Sequence, residues 1–133
     1  TAVIDACAKA GKAERAEHWL ATAMEAGVTV NVISYNAVIN ACAKAGKAER
    51  AEHWLARAIE AGVKVNVISY TAVIDACAKV GKAERAEYWL ATAMEAGVTV
   101  DVISYTAVIN ACAKAGKAER AEHWLARAIE AGV

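Results

Sequence analysis

The chain has 133 residues and 13.9 kDa, enough for one compact domain or a short stack of repeats that buries a core. Apolar residues make up 58%, which excludes wholesale disorder, and no apolar run reaches the ~18 residues of a membrane span. Fifteen Lys+Arg balance fifteen Asp+Glu, which also excludes a strongly basic nucleic-acid binder working by bulk electrostatics. Pro and Phe are absent and Ala fills 35 positions, a composition suited to helices that approach one another closely.

Self-similarity organises the chain. Trp19, Trp54, Trp89 and Trp124 are spaced by 35 residues, as are Cys7, Cys42, Cys77 and Cys112. Four copies result: 1–31 with its first four residues missing, 32–66, 67–101, and 102–133 with a shortened end. The chain opens inside this pattern, without a starting Met, secretory signal or transit peptide, as a piece of a longer array would. Copies one and three share ATAMEAGVTV while copies two and four share ARAIEAGV, the mark of a duplicated two-repeat unit or of deliberate design.

In chain order, the first copy carries Thr1, Asp5 and Lys9 at i, i+4, i+8 spacing. The second repeats the spacing as Asn36, Asn40 and Lys44 within a segment that is otherwise apolar almost all round. Gly46 interrupts the apolar pattern there, which predicts two helices, Ile33–Ala45 and Lys47–Ala61. Ser34 is a candidate N-cap and Gly62 a C-terminal cap. Ala48, Ala51, Leu55, Ala58 and Ile59 follow the helical period and form one apolar face, with Glu49, Arg50, Glu52, Arg57 and Glu60 largely off it. The third copy continues the polar stripe as Thr71/Asp75/Lys79 and the fourth as Thr106/Asn110/Lys114. A single helix pair cannot bury its own apolar face, so the expected fold is all-α: a right-handed α-solenoid of stacked antiparallel helix pairs. The polar stripe is either a solvated helix face or a ligand groove addressed one repeat at a time.

The 35-residue motif resembles the pentatricopeptide repeat along the whole chain. The features that match are V-I-S-Y-N at 32–36, V-I at 38–39, Lys44, Ala45–Gly46, Ala51 and G-V-K-x-N at 62–66. Two departures stand out: the Pro usual near the motif end is Val30, Val65 and Val100, and a bulky aliphatic early in the second helix is Ala48. The resemblance implies a modular single-stranded RNA-binding protein of mitochondria or plastids, with one base per repeat. It implies base reading by the fifth and last motif residues together: Thr1 with Asn31, Asn36 with Asn66, and Thr71 with Asp101, while Thr106 lacks its partner. Ile33, Ile68 and Ile103 would sandwich bases, and Lys9, Lys44, Lys79 and Lys114 would approach phosphates. The implied order is 5′-A-C/U-G-3′ for copies one to three. Read without the resemblance, Asn31, Asn66 and Asp101 also suit turn or N-cap positions, and the three isoleucines suit plain packing.

Other chemistry finds little support. Equivalent cysteines on stacked helices lie roughly 8–10 Å apart, beyond the ~7 Å reach of a disulfide, so they read as small buried hydrophobes. His18, His53 and His123 share their repeat position with Tyr88, which argues against a metal or catalytic role. The four tryptophans read as packing between repeats. Ser34, Ser69 and Ser104 have no His–acid partner nearby, and no zinc-ligand spacing or phosphate loop is present. No enzyme and no cofactor are expected. The first helices sum to +2 and the second helices to −2, a segregation that favours the stripe as the RNA face. The alternative is a scaffold that docks protein subunits of an organellar complex; apolar ends without polar caps would also promote end-to-end self-association.

Overall fold

A computed structural model describes residues 2–132. Among them are eight α-helices: α1 (Ala2–Lys9), α2 (Ala13–Glu25), α3 (Val32–Lys44), α4 (Ala48–Glu60), α5 (Val67–Lys79), α6 (Ala83–Glu95), α7 (Val102–Lys114) and α8 (Ala118–Glu130). The chain divides into two compact units, Thr1–Val73 and Ile74–Val133.

Each helix boundary has a local cause. Asn31 N-caps α3 and Asp101 N-caps α7, each in extended backbone with its side-chain oxygen accepting the N–H of Ser34 or Ser104 at 3.2 Å. Ser34 is therefore not the cap expected from the sequence; the helix starts two residues before it and the hydroxyl is buried. The break between α3 and α4 is a Schellman turn. Gly46 N–H reaches the Ala43 carbonyl at 3.1 Å and Lys47 N–H reaches Cys42 at 2.9 Å, with Gly46 at φ +75°. Lys47 then leads into α4 with no side-chain cap of its own. The same glycine-centred motif closes α4 at Gly62. Where the repeat motif usually has Pro, Val65 donates its N–H to the Val63 carbonyl at 2.9 Å, a tight turn that Pro could not close.

In the first unit, α1 packs on α2 and α3, α2 on α3, and α3 on α4. The core here is Ile4, Leu20, Tyr35, Val38, Ile39, Cys42, Trp54 and Leu55, with Ala16, Ala48, Ala51 and Ala58 at the close approaches. Trp54 thus joins the apolar face of α4, whereas Ile59 lies at its margin, 40% exposed. Ala48, the small residue where the motif usually has a bulky one, is itself buried. In the second unit α7 packs on α6 and on α8, burying Trp89, Leu90, Tyr105, Val108, Cys112 and Trp124.

A buried carboxylate ties helices in each unit. Glu17 accepts Arg50 Nε at 2.6 Å and Trp54 Nε1 at 2.8 Å, linking α2 to α4. Glu87 accepts Arg120 Nε and Trp124 Nε1, both at 2.7 Å, linking α6 to α8. Both tryptophans therefore have a polar anchor as well as a packing role. His18, His53, Tyr88 and His123 each sit edge-on to the neighbouring Trp, with ring centroids 5.0–5.1 Å apart.

Candidate nucleic-acid interface

The odd-numbered helices α3, α5 and α7 bring the motif positions to the surface. Ile33, Ile68 and Ile103 occupy the second position of their helices and are 64%, 55% and 61% exposed. For large aliphatics this placement does not suit plain packing; the packing positions five residues on, Val38, Val73 and Val108, are fully buried. Lys44, Lys79 and Lys114 are the last residues of these helices, and Lys9 ends α1; all four are exposed. A helix C-terminus favours a cation there.

The last motif residue caps the helix that follows it and stays exposed. Asn31, Asn66 and Asp101 each lie one residue before a helix and give one side-chain oxygen to its first turn. Asn66 Oδ1 accepts Ile68 N–H at 3.1 Å and Ser69 N–H at 3.3 Å. The capping and base-reading readings therefore do not compete. With Oδ1 held by the helix, the outward atom is an amide donor in Asn31 and Asn66 and a carboxylate acceptor in Asp101.

In the first unit the fifth and last residues of the second copy meet. Asn36 Nδ2 donates to Asn66 Oδ1 at 3.3 Å, and the Ser69 hydroxyl donates to Asn36 Oδ1 in a short bond. Thr1 lies outside the described residues, so the Thr1–Asn31 pair is seen only as exposed Asn31. Thr71 lies half-buried on α5 in the first unit, whereas Asp101 is exposed in the second. Thr106 is exposed on α7.

The acidic members of the stripe differ in their surroundings. Asp5 Oδ1 accepts the Ser34 hydroxyl at 3.4 Å. Asp75 is half-buried with its Oδ1 lacking any hydrogen-bond partner. Burial pushes its pKa up, the negative charge of Asp101 adds to this, and Lys79 opposes it. Nothing in the bare sequence distinguished Asp5 from Asp75, because the difference lies in what each carboxylate faces. The cysteines take no part. Burial pushes the Cys42 thiol up to about 12 and raises Cys112 as well, the opposite of an activated nucleophile.

Profiles of the PPR repeat family match residues 30–79 and 65–114, a Pentatricopeptide repeat domain profile matches 1–45, and a PPR repeat profile matches 103–133. The chain belongs to the pentatricopeptide repeat family. Its structure is similar to that of the pentatricopeptide repeat protein PPR10 from maize, with TM-score 0.83 and 21% identity over 98% of this chain. PPR10 in complex with an 18-nt psaJ RNA element matches with TM-score 0.76 and 27% identity, again over 98% of the chain. The PPR domain of Arabidopsis thaliana protein-only RNase P 1, solved in complex with tRNA, matches with TM-score 0.79 and 15% identity, covering 90% of this chain and 62% of that one. The chain spans about a fifth (19%) of PPR10. No curated protein matches it in sequence. The fold is the pentatricopeptide α-solenoid of helix pairs, the class read from the sequence. Among the described residues no helix is long and apolar enough to cross a membrane.

Proposed function

We propose that the chain is a modular single-stranded RNA-binding array, non-enzymatic, in which each copy (1–31, 32–66, 67–101, 102–133) contacts one base. Family membership supports RNA as the partner, as do the similar structures solved with an RNA element and with tRNA. The observation that carries the reading is local. Asn36 and Asn66 join side chains, with Ile33 and Ile68 exposed near them. Polar groups matched to a base edge and aliphatic surface matched to its faces are the two requirements for reading an unstacked base. Asp101, with an outward carboxylate oxygen, suits guanine, whose imino and amino N–H groups both donate. Lys9, Lys44, Lys79 and Lys114 supply phosphate contacts in modest number, so the salt dependence is shallow.

Localisation to mitochondrion or plastid follows the habit of the family, although one similar structure is a nuclear proteinaceous RNase P. A scaffold that docks protein subunits, or copies of itself, is the second reading. One observation favours it: Leu125 on α8 is 51% exposed, where Leu55 and Leu90 at the matching position are fully buried, and Ile129 is 68% exposed against 40% for Ile59. Fluorescence anisotropy at low salt separates the two. Labelled RNA containing 5′-ACG-3′ binds better than the same RNA with that triplet replaced by its complement; absence of binding at high micromolar protein transfers the function to the scaffold.

A further inference from the structure

The second copy contains a hydrogen-bond chain whose direction is set by the backbone. Asn66 caps α5, so its Oδ1 is committed to the N–H groups of Ile68 and Ser69. With Oδ1 fixed, the facing group on Asn36 must be a donor, and it is: Nδ2 at 3.3 Å. The Asn36 carbonyl then points the other way and needs a donor of its own. Ser69, fully buried at the third position of α5, provides it through its hydroxyl. The Ser69 oxygen also accepts the Asn66 N–H at 3.4 Å, and its hydroxyl lies farther from Asn66 Oδ1, at 3.4 Å, than from Asn36 Oδ1, so its one proton goes to Asn36. A helix cap in one repeat thereby fixes the amide orientation of a reader in the repeat before it.

The Asn66 carbonyl is taken up by the helix and by Asn36, and the Asn36 carbonyl is turned toward Ser69. The groups that this arrangement leaves to face a ligand are the second proton of Asn36 Nδ2 and the amide of Asn66, both donors. A donor-only pair matches two adjacent acceptors on one base edge. Cytosine offers these as N3 and O2; uracil places N3–H there, so a donor meets a donor. We infer that Ser69 is a specificity-determining positioning residue, which holds the Asn36 carboxamide so that the Asn36–Asn66 pair accepts cytosine and rejects uracil. This inference rests on the base-reading proposal and adds a third residue, from the following repeat, to the pair.

The test compares the full chain with its Ser69→Ala and Ser69→Cys variants by anisotropy on RNAs that differ only as 5′-ACG-3′ or 5′-AUG-3′. Both replacements remove the strong hydroxyl donor; Cys keeps nearly the same volume, and Ala is a good helix residue. In the parent, cytosine binds about fivefold tighter than uracil, the worth of roughly one net hydrogen bond. In both variants the Asn36 carboxamide is held by its 3.3 Å bond to Asn66 alone, so it turns its carbonyl toward uracil N3–H more readily. The cytosine-to-uracil ratio then falls to within about twofold of one. Preferences at the flanking adenine and guanine positions stay unchanged, which a general loss of packing would not allow. A parent ratio that survives in both variants overturns the role of Ser69 alone. A parent without preference among the four bases at this position overturns the base-reading proposal, and this inference with it.

Discussion

Single side chains in this protein owe their state to one or two neighbours, and Asp75 shows this most directly. Its position in the repeat is Asn in copies two and four, yet here a carboxylate with an unpartnered oxygen is half-buried near Asp101. Burial, then the Asp101 charge, raise its folded pKa above the ordinary 3.8. The native state thus holds this proton more tightly than the unfolded chain does. The resulting stability is fully present below about pH 3.8 and is lost as pH rises through the raised folded value. Asp75→Asn removes the charge while keeping the shape already used at Asn40 and Asn110. Thermal melts are expected to show the variant more stable than the parent at pH 7, with the gain vanishing below pH 3.8. A gain that persists at acid pH contradicts burial of the charge as its cause. Glu17 is the counter-example: also a carboxylate and more buried, it faces the Arg50 guanidinium and the Trp54 N–H.

At the scale of the helices, punctuation was legible and its agents less so. The 3.6-residue pattern and the glycines placed both helices of the second copy within a residue or two of Val32–Lys44 and Ala48–Glu60. Ser34 misled as a cap because it is a good capping residue three positions after a better one; geometry decides between them, since only Asn31 has extended backbone. Ile59, expected on the apolar face of α4, lies at its margin because a helical stripe has two margins and the neighbouring helix selects one, while Trp54 packs as expected. The ties from Glu17 and Glu87 were not legible at all, since partners 33 and 37 residues away share no local pattern. The capping role of Asp101 is testable here. Asp101→Ala removes the α7 cap and is expected to cost about 1 kcal/mol in denaturant unfolding. Asp101→Asn, which keeps a capping oxygen as Asn31 does, is expected to cost much less. Equal losses in the two variants would mean that the cap is not what Asp101 contributes to stability.

Across the whole molecule, repetition carries the functional logic. Copies two and three each present an exposed aliphatic and an exposed last residue that caps a helix. Variation among the copies falls mostly at polar positions, with Val80 and the alternation of Met24 and Met94 with Ile59 and Ile129 as apolar exceptions, so under the proposed reading base order is a property of the sequence rather than of a unique pocket. The candidate positions were readable because the repeat set them in register; the orientation of each amide was not, because it depends on hydrogen bonds that cross from one repeat to the next. The decisive measurement is the base preference of Thr71→Asn, made in a longer array built from these copies at fixed salt. Stacking contributes only ~1–3 kcal/mol per base, so three or four bases alone give a narrow window. With Asp101 still presenting a carboxylate acceptor, the account predicts a shift at that one position from guanine toward uracil, with neighbouring positions unchanged. Equal loss of affinity for all four bases there, or no change at all, would contradict base reading by these pairs.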